Sequence, residues 1–200
     1  MADDRSISIQ DLLSGLATTA ETLEKNRVSY AVVGGMATGY RSQPRFTKDL
    51  DFLLHIPQVA LPGLLEALAQ QGYQFDQTAT IREWIDHHMV VLTYHGIRVD
   101  WLKAVIPAYQ HILDRSTEEA WLGKRIRVAS AEGLILMKLL AARTQDWLDI
   151  ENLIAAQRER LDVDWICQEW QSLASPDDPR IVRFVKLVAQ SQKKDESSDR

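Results

Sequence analysis

Residues 32–54, VVGGMATGYRSQPRFTKDLDFLL, decide the fold because they place two carboxylates inside an apolar stretch. The β-branched run that leads into them, VSYAVV, stops at Gly34 and Gly35 and predicts a buried strand. A second strand is predicted over LDFLLHI, residues 50–56, which contains Asp51 and directly follows Asp49. In a strand, residues i and i+2 point to the same side. The two carboxylates therefore project together.

A third acid, Asp100, lies in another strand-like run, IRVDWL. If this strand neighbours the one that carries Asp49 and Asp51, three carboxylates converge. Two carboxylates about 5 Å apart repel by roughly 3 kcal/mol at an effective dielectric of about 20, so a cation is needed. Mg²⁺ prefers such oxygen ligands and commonly adds substrate phosphates. Taken alone, the spacing favours a purely structural interpretation, with Asp49 at a strand entry and Asp100 as a solvated edge charge.

The glycine pair adds to the functional interpretation. Gly34 and Gly35 let the backbone approach a ligand closely, and the amides of a helix that starts there can hold phosphate. An ordinary strand-to-helix turn explains the glycines equally well by themselves. Neither G-x-x-x-x-G-K-[ST] nor G-x-G-x-x-G occurs in the sequence, so a P-loop and a dinucleotide fingerprint are excluded.

The bulk composition is that of a soluble globular protein. The chain has 200 residues, 46% of them hydrophobic and 26% charged, and a net charge of -5, which argues against a broadly basic nucleic-acid binder. The single cysteine, Cys167, excludes an internal disulfide. No secretory signal opens the sequence and no apolar run is long enough to span a bilayer, so we expect a cytoplasmic protein without a membrane partner.

Periodicity predicts an α+β protein. Helices are predicted at Ile9–Lys25 and over QVALPGLLEALAQQG, a hairpin over HMVVLTYHGIRVDWL with its turn at His95 and Gly96, and a further strand at GKRIRVAS. We therefore predict an α/β core over residues 1–128, a helical part over 129–192 and a disordered tail over 193–200.

The segment AEGLILMKLLAARTQDWLDIENLIAAQ is helical in its periodicity, with Ser130 as its N-cap. Within one helix, the eleven residues from Lys138 to Asp149 make about three turns and place both side chains on one face. Arg143 and Asp146, three residues apart, are placed to pair. An exposed, salt-bridged helix is the structural alternative.

Together these motifs resemble the nucleotidyltransferase superfamily, which has the polymerase β-like fold. The resemblance rests on an apolar strand, a Gly-Gly pair, thirteen intervening residues, Asp-Leu-Asp and a later strand Asp. VVGGMATGYRSQPRFTKDLDFLL is closer still to the AbiEii-type nucleotidyltransferases, a branch that includes toxins of bacterial abortive-infection and toxin–antitoxin systems. LMKLLAARTQDWLDIENL resembles the helical signature of that branch.

The resemblance implies a mixed sheet flanked by helices, a C-terminal helical part and the following roles. Asp49, Asp51 and Asp100 would be catalytic and would bind Mg²⁺ or Mn²⁺ as two ions. The substrate-binding residues would be Gly34 and Gly35 at the triphosphate, Arg45 and Thr47 along the nucleotide approach, and Lys138, Arg143 and Asp149 from the helical part. Gln145 departs from the pattern, because many relatives have a basic residue there.

We therefore predict an enzyme that transfers a nucleoside monophosphate from an NTP to a hydroxyl and releases pyrophosphate. A toxin-type role would use RNA or protein as the acceptor and have an antitoxin as partner. Two alternatives stay open. One is the modification of a small molecule such as an aminoglycoside, which the acidic charge would attract. The other is a nucleotide-binding module without turnover.

Overall fold

The computed structural model describes residues 7–121 and 123–198, with side chains described up to Lys193. The chain divides into two compact units. The first comprises residues 1–36 and 46–128, and the second comprises residues 37–45 and 129–200. The predicted division places residues 37–45 in the α/β core, whereas they belong to the second unit here.

The first unit contains a seven-stranded mixed sheet flanked by helices, as predicted. Its strands are β1 (Ser29–Val33), β2 (Asp49–His55), β3 (Tyr73–Gln74), β4 (Met89–Tyr94), β5 (Ile97–Lys103), β6 (Thr117–Trp121) and β7 (Lys124–Val128). Its helices are α1 (Ile9–Lys25), the start of α2 (Gly34–Arg41), α3 (Leu61–Gln70), α4 (Gln77–Asp86) and α5 (Pro107–Asp114), with a 3₁₀ turn at Gln58–Ala60.

The sheet order is β3-β4-β5-β2-β1-β7-β6. The strand β2 lies at its centre, antiparallel to β1 and parallel to β5. The helix α1 begins at the N-cap Ser8, whose hydroxyl accepts a hydrogen bond from the Asp11 amide, and it packs on the sheet. The buried side chains of β2, Leu50 and Phe52 among them, fix its register because the neighbouring carboxylates must then face the other way.

The second unit is helical. It contains the end of α2, and α6 (Ala131–Ala141), α7 (Thr144–Gln157), α8 (Val163–Gln171) and α9 (Pro179–Ser198), with a 3₁₀ turn at Arg158–Arg160. Ser130 caps α6 as predicted, accepting a hydrogen bond from the Gly133 amide. Of the tail predicted to be disordered, residues 193–198 are helical and residues 199–200 lie outside the described residues.

The prediction of one continuous helix over residues 131–157 is wrong. Ala142, with φ of 50°, adopts a left-handed conformation that ends α6, and α7 starts two residues later. This backbone conformation at a helix C-terminus is normally supplied by glycine, so the alanine gives no signal of the break. Within the described residues, no helix is both long and apolar enough to cross a membrane.

Candidate active site

The carboxylates of β2 and β5 meet on one face of the sheet. Asp51 is the direct partner of Asp100 in the parallel β2–β5 pair, and Asp49 precedes Asp51 by two residues on the same side. The predicted proximity of these two strands is confirmed. All three side chains are half-buried, because they stand beside the core without being part of it.

A cation already lies in this group. Arg98 is the strand partner of Asp49 and points to the same side as Asp100, two residues further along β5. Its Nε donates a hydrogen bond to Oδ2 of Asp100 at 3.0 Å and lies 2.8 Å from Oδ1. The hydrogen bond to Asp100 and its charge, with smaller contributions from Asp49 and Asp51, raise the pKa of Arg98. Sequence reasoning missed Arg98, although the alternation rule that joined Asp49 to Asp51 also joins Arg98 to Asp100.

One carboxylate oxygen of Asp100 has no hydrogen-bond donor among the described residues. Oδ1 is buried and accepts no hydrogen bond among the described residues, because the Nε–H of Arg98 is directed at Oδ2. A buried carboxylate oxygen without a donor carries a free-energy penalty. The Arg98 charge, 2.8 Å from Oδ1, offsets part of this penalty, and a ligand that donates a proton or a positive charge there would offset more of it.

The backbone of Gly34 packs directly against the side chain of Asp51. Its φ of +62° lies in the left-handed region, and a Cβ built there would fall 2.7 Å from the Cβ of Asp51 and closer still to its carboxylate. Only glycine permits this approach. Gly35 is buried in the first turn of α2, so a helix does begin at the glycine pair as predicted. Thr47 lies near the start of β2, with its hydroxyl 3.5 Å from the Asp49 carbonyl oxygen.

A second charged cluster lies in the helical unit. Lys138 Nζ is 2.5 Å from Oδ2 of Asp149 and 3.6 Å from Oδ1 of Asp146. Arg45 forms a fork on the same carboxylate, with Nε 3.1 Å from Oδ1 and Nη2 donating to Oδ2 at 3.1 Å. The side chains of Lys138 and Asp149 are 7% and 1% exposed, and that of Arg45 is 32% exposed. Lys138 and Asp149 thus contact each other from two different helices, α6 and α7. The prediction had placed both on one face of a single helix.

Arg143 and Asp146 pair as predicted. Nε of Arg143 lies 2.8 Å from Oδ2 of Asp146, and the Arg143 amide donates to the same oxygen at 3.0 Å. Burial alone would raise the pKa of Asp146, but the hydrogen bonds from Arg143 and the charge of Lys138 hold it below its ordinary value. Gln145, the residue that departs from the family pattern, donates to Oδ1 of Asp149 at 3.2 Å.

The predicted site residues thus form two groups, one in each unit. The first unit holds Gly34, Gly35, Thr47, Asp49, Asp51 and Asp100, and the second holds Arg45, Lys138, Arg143 and Asp149. In the part of the chain that the structure describes, no three His, Cys, Asp or Glu side chains are arranged to hold a metal ion by themselves.

A central mixed sheet with a glycine turn against an Asp-x-Asp strand, and a third Asp on the parallel neighbour, is the arrangement that the resemblance to nucleotidyltransferases implies. The sequence agrees. The chain belongs to the family described as "Nucleotidyl transferase of unknown function (DUF2204)", whose model matches residues 12–186. A search of curated proteins finds no match.

Solved structures of nucleotidyltransferases share the fold. The antibiotic-resistance factor ANT(2'')-Ia is 14% identical, with a TM-score of 0.52 over 96% of this chain and 97% of that one. An antigenic nucleotidyltransferase-like protein from Paracoccidioides brasiliensis is 16% identical, with a TM-score of 0.50 over 96% of this chain and 93% of that one. The lincosamide antibiotic adenylyltransferase LnuA, bound to lincomycin, is 16% identical, with a TM-score of 0.50 over 74% and 98%.

Proposed function

We propose that the protein is a divalent-metal-dependent enzyme that transfers a nucleoside monophosphate from an NTP to a hydroxyl acceptor and releases pyrophosphate. The observation that carries the proposal is the register of β2 and β5, which sets Asp51 opposite Asp100 with Asp49 on the same face. Membership of a nucleotidyl transferase family supports the same reaction class.

The donor set suits Mg²⁺ or Mn²⁺. All three side chains offer hard oxygen ligands, and Oδ1 of Asp100 is buried with no hydrogen-bond donor in the described part of the chain, although Arg98 lies 2.8 Å from it. Mg²⁺ is usually held by one or two carboxylates together with substrate phosphates, so the proposal needs the nucleotide to complete the coordination. Once bound, a pair of such ions would activate the attacking hydroxyl and neutralise charge on the leaving phosphate.

The chain's own groups would orient the reactants. Asp49 and Asp51 would hold the metal, and the Asp100 carboxylate would accept a hydrogen bond from the acceptor hydroxyl and align it for in-line attack. The amides at Gly34 and Gly35 begin a helix, whose N-terminus favours phosphate.

The remaining predicted substrate-binding residues differ in how far their side chains are exposed to solvent. The side chains of Arg143 and Arg45 are 77% and 32% exposed, so a nucleotide could reach both of them. Thr47 precedes Asp49 by two residues and would act beside the carboxylates of the first unit. Lys138 and Asp149 are buried and satisfy one another, which favours an indirect role: they hold Arg45 in place.

Two classes of acceptor are proposed, a macromolecule and a small molecule. The AbiEii-type motif supports a toxin-type enzyme that modifies RNA or protein, with an antitoxin partner, in the cytoplasm. A small-molecule acceptor is supported by the net charge of -5, which attracts a polycation such as an aminoglycoside, and by the fold shared with ANT(2'')-Ia and LnuA along nearly their whole length. A nucleotide-binding module without turnover is the third reading.

Transfer of label tests these readings. The protein would be incubated with each α-labelled NTP, Mg²⁺ and, separately, total tRNA, cell protein, tobramycin or lincomycin, and the labelled product identified. We expect Asp49→Asn with Asp51→Asn to lower transfer by at least about a hundredfold, and the exposed Asp86→Asn to leave it unchanged.

The outcomes separate the candidates. Full activity in the double variant would refute the catalytic assignment. A nucleotide that raises the melting temperature without any labelled acceptor would favour the binding module. Growth arrest on induction, relieved by the double variant, would identify the toxin-type enzyme.

A further inference from the structure

We propose that Arg98 is an internal counter-cation of the carboxylate group and competes with the divalent ion for Asp100. The inference rests on the proposed metal site and adds to it a residue that controls when the metal binds. It predicts that metal and nucleotide bind together and not independently.

The geometry places the Arg98 guanidinium among the proposed metal ligands. Arg98 is the direct strand partner of Asp49, and it stands two residues before Asp100 on the same face of β5. Its Nε lies 2.8 Å from Oδ1 and 3.0 Å from Oδ2 of Asp100, so it occupies one side of that carboxylate. An ion coordinated by Asp100 would have to share the carboxylate with a positive charge.

The charges explain why such a residue is present. Without a metal, three carboxylates on one sheet face repel one another, and a guanidinium beside them offsets that repulsion. A divalent ion reverses the balance, because it neutralises the carboxylates itself and repels the guanidinium. The Arg98 side chain is 50% exposed, so it can move its charge into solvent without breaking a packed core.

Nucleotide changes this competition. An arriving triphosphate brings several negative charges, which attract both the ion and a guanidinium released from Asp100. The ion then gains phosphate ligands, and Arg98 gains an alternative acceptor. Each ligand therefore strengthens the binding of the other, and the coupling is reciprocal.

Metal affinity in the absence of nucleotide tests the inference. Mn²⁺ binding to the full chain would be measured by electron paramagnetic resonance of the free ion and by calorimetry. We expect Arg98→Gln to tighten Mn²⁺ binding by about tenfold or more, because a unit positive charge near a divalent ion is removed. Arg98→Lys keeps the charge and should bind the ion as weakly as the wild type.

Arg125→Gln is the matched control. Arg125 is also an exposed strand arginine paired to a carboxylate, with Nη1 3.1 Å from Oε2 of Glu118, but that pair joins β6 and β7. The Arg125→Gln substitution should therefore leave the affinity for Mn²⁺ unchanged. Arg98→Met removes the same charge and serves as a second neutral variant if the glutamine variant is unstable.

The second expected result concerns coupling. In the wild type, a non-hydrolysable NTP should tighten Mn²⁺ binding strongly, and in Arg98→Gln this gain should shrink because the competing charge is already gone. If the neutral variants bind Mn²⁺ no more tightly than the wild type, while Asp51→Asn abolishes binding, the role of Arg98 is overturned and the metal site stands. If Asp51→Asn and Asp100→Asn bind Mn²⁺ like the wild type, or if no variant binds it even with the non-hydrolysable NTP present, the proposed metal site fails and the inference fails with it.

Discussion

The ammonium of Lys138 lies 2.5 Å from a carboxylate oxygen of Asp149, although the two residues belong to different helices. Both side chains are almost completely buried, and the Arg45 guanidinium forks onto the same carboxylate. Asp149 therefore compensates charge from two cations, while Asp146 lies 3.6 Å from Lys138 and supports it more weakly. Each partner depends on the other two, because a buried charge without compensation is costly.

Removal of Asp149 should destabilise the protein strongly. We expect Asp149→Ala to lower the free energy of unfolding by about 3 kcal/mol, because it leaves the buried Lys138 with only the more distant Asp146 and leaves Arg45 without its carboxylate. Urea unfolding followed by circular dichroism measures the change. The exposed Asp164→Ala, in the first turn of α8, should cost at most about 1 kcal/mol. A loss from Asp149→Ala no larger than that of Asp164→Ala would contradict the importance of the cluster.

Asp146 should make stability depend on pH in the acid range. Its pKa in the folded protein is held below the ordinary value of 3.8, so its ionised form stabilises the fold above that pH. The contribution is lost as the pH falls below 3.8 through the folded-state pKa. The difference in unfolding free energy between wild type and Asp146→Asn should therefore be largest near neutral pH and shrink in acid. A difference that stays constant from about pH 7 to about pH 2.5 would show that Asp146 is not stabilised as an anion.

Gly34→Ala should damage the site directly. The new Cβ would collide with Asp51, and the residue would also have to keep a positive φ, which costs an L-residue about 1–2 kcal/mol before the collision is counted. We expect lower stability and a loss of nucleotidyl transfer. Gly63→Ala is the control, since nothing lies within 4 Å of its Cβ and it sits inside α3, where alanine is favoured by up to about 1 kcal/mol. Equal effects of the two substitutions would contradict a special role for Gly34.

Ala142→Gly should stabilise the protein. Ala142 ends α6 at φ 50° and ψ 30°, a conformation that glycine adopts without the steric cost that alanine carries. We expect a gain of about 1 kcal/mol in the free energy of unfolding, measured by thermal and urea denaturation. The neighbouring Ala141→Gly lies in the last turn of the helix and should instead cost about 0.5–1 kcal/mol. A loss on Ala142→Gly would mean that alanine is not strained there.

Much of the sheet unit could be predicted from sequence, because hydrophobic periodicity is strong in its central elements. The bounds of α1 are those predicted, Ile9–Lys25, and the β4–β5 hairpin turns at His95 and Gly96, both with positive φ. The adjacency of Asp51 and Asp100 followed only from the hypothesis that the two strands are neighbours. The register confirms it.

The elements that were missed have weak local signals. The strand β3 has two residues, and β6, TEEAW, is an edge strand with mostly exposed side chains and no apolar alternation. The helices α4 and α5 did carry start signals, an N-cap at Asp76 and a proline at position 107, but each buries few residues. The break at Ala142 depends on a conformation that its residue type disfavours. The pairing of Arg45 with Asp149 is tertiary, and no local pattern reports it. The pairing of Arg98 with Asp100 is local, and alternation along the strand could have predicted it.

The assignment of residues 37–45 to the helical unit has an evolutionary consequence. This unit is assembled from two stretches of chain, and the first of them supplies Arg45 to a carboxylate on the second. A fragment cut at residue 129 would inherit Asp149 without one of its two cations. One recombination crossover could therefore not transfer the helical unit intact, and descent should have kept both stretches together with residues 46–128, which separate them in the sequence.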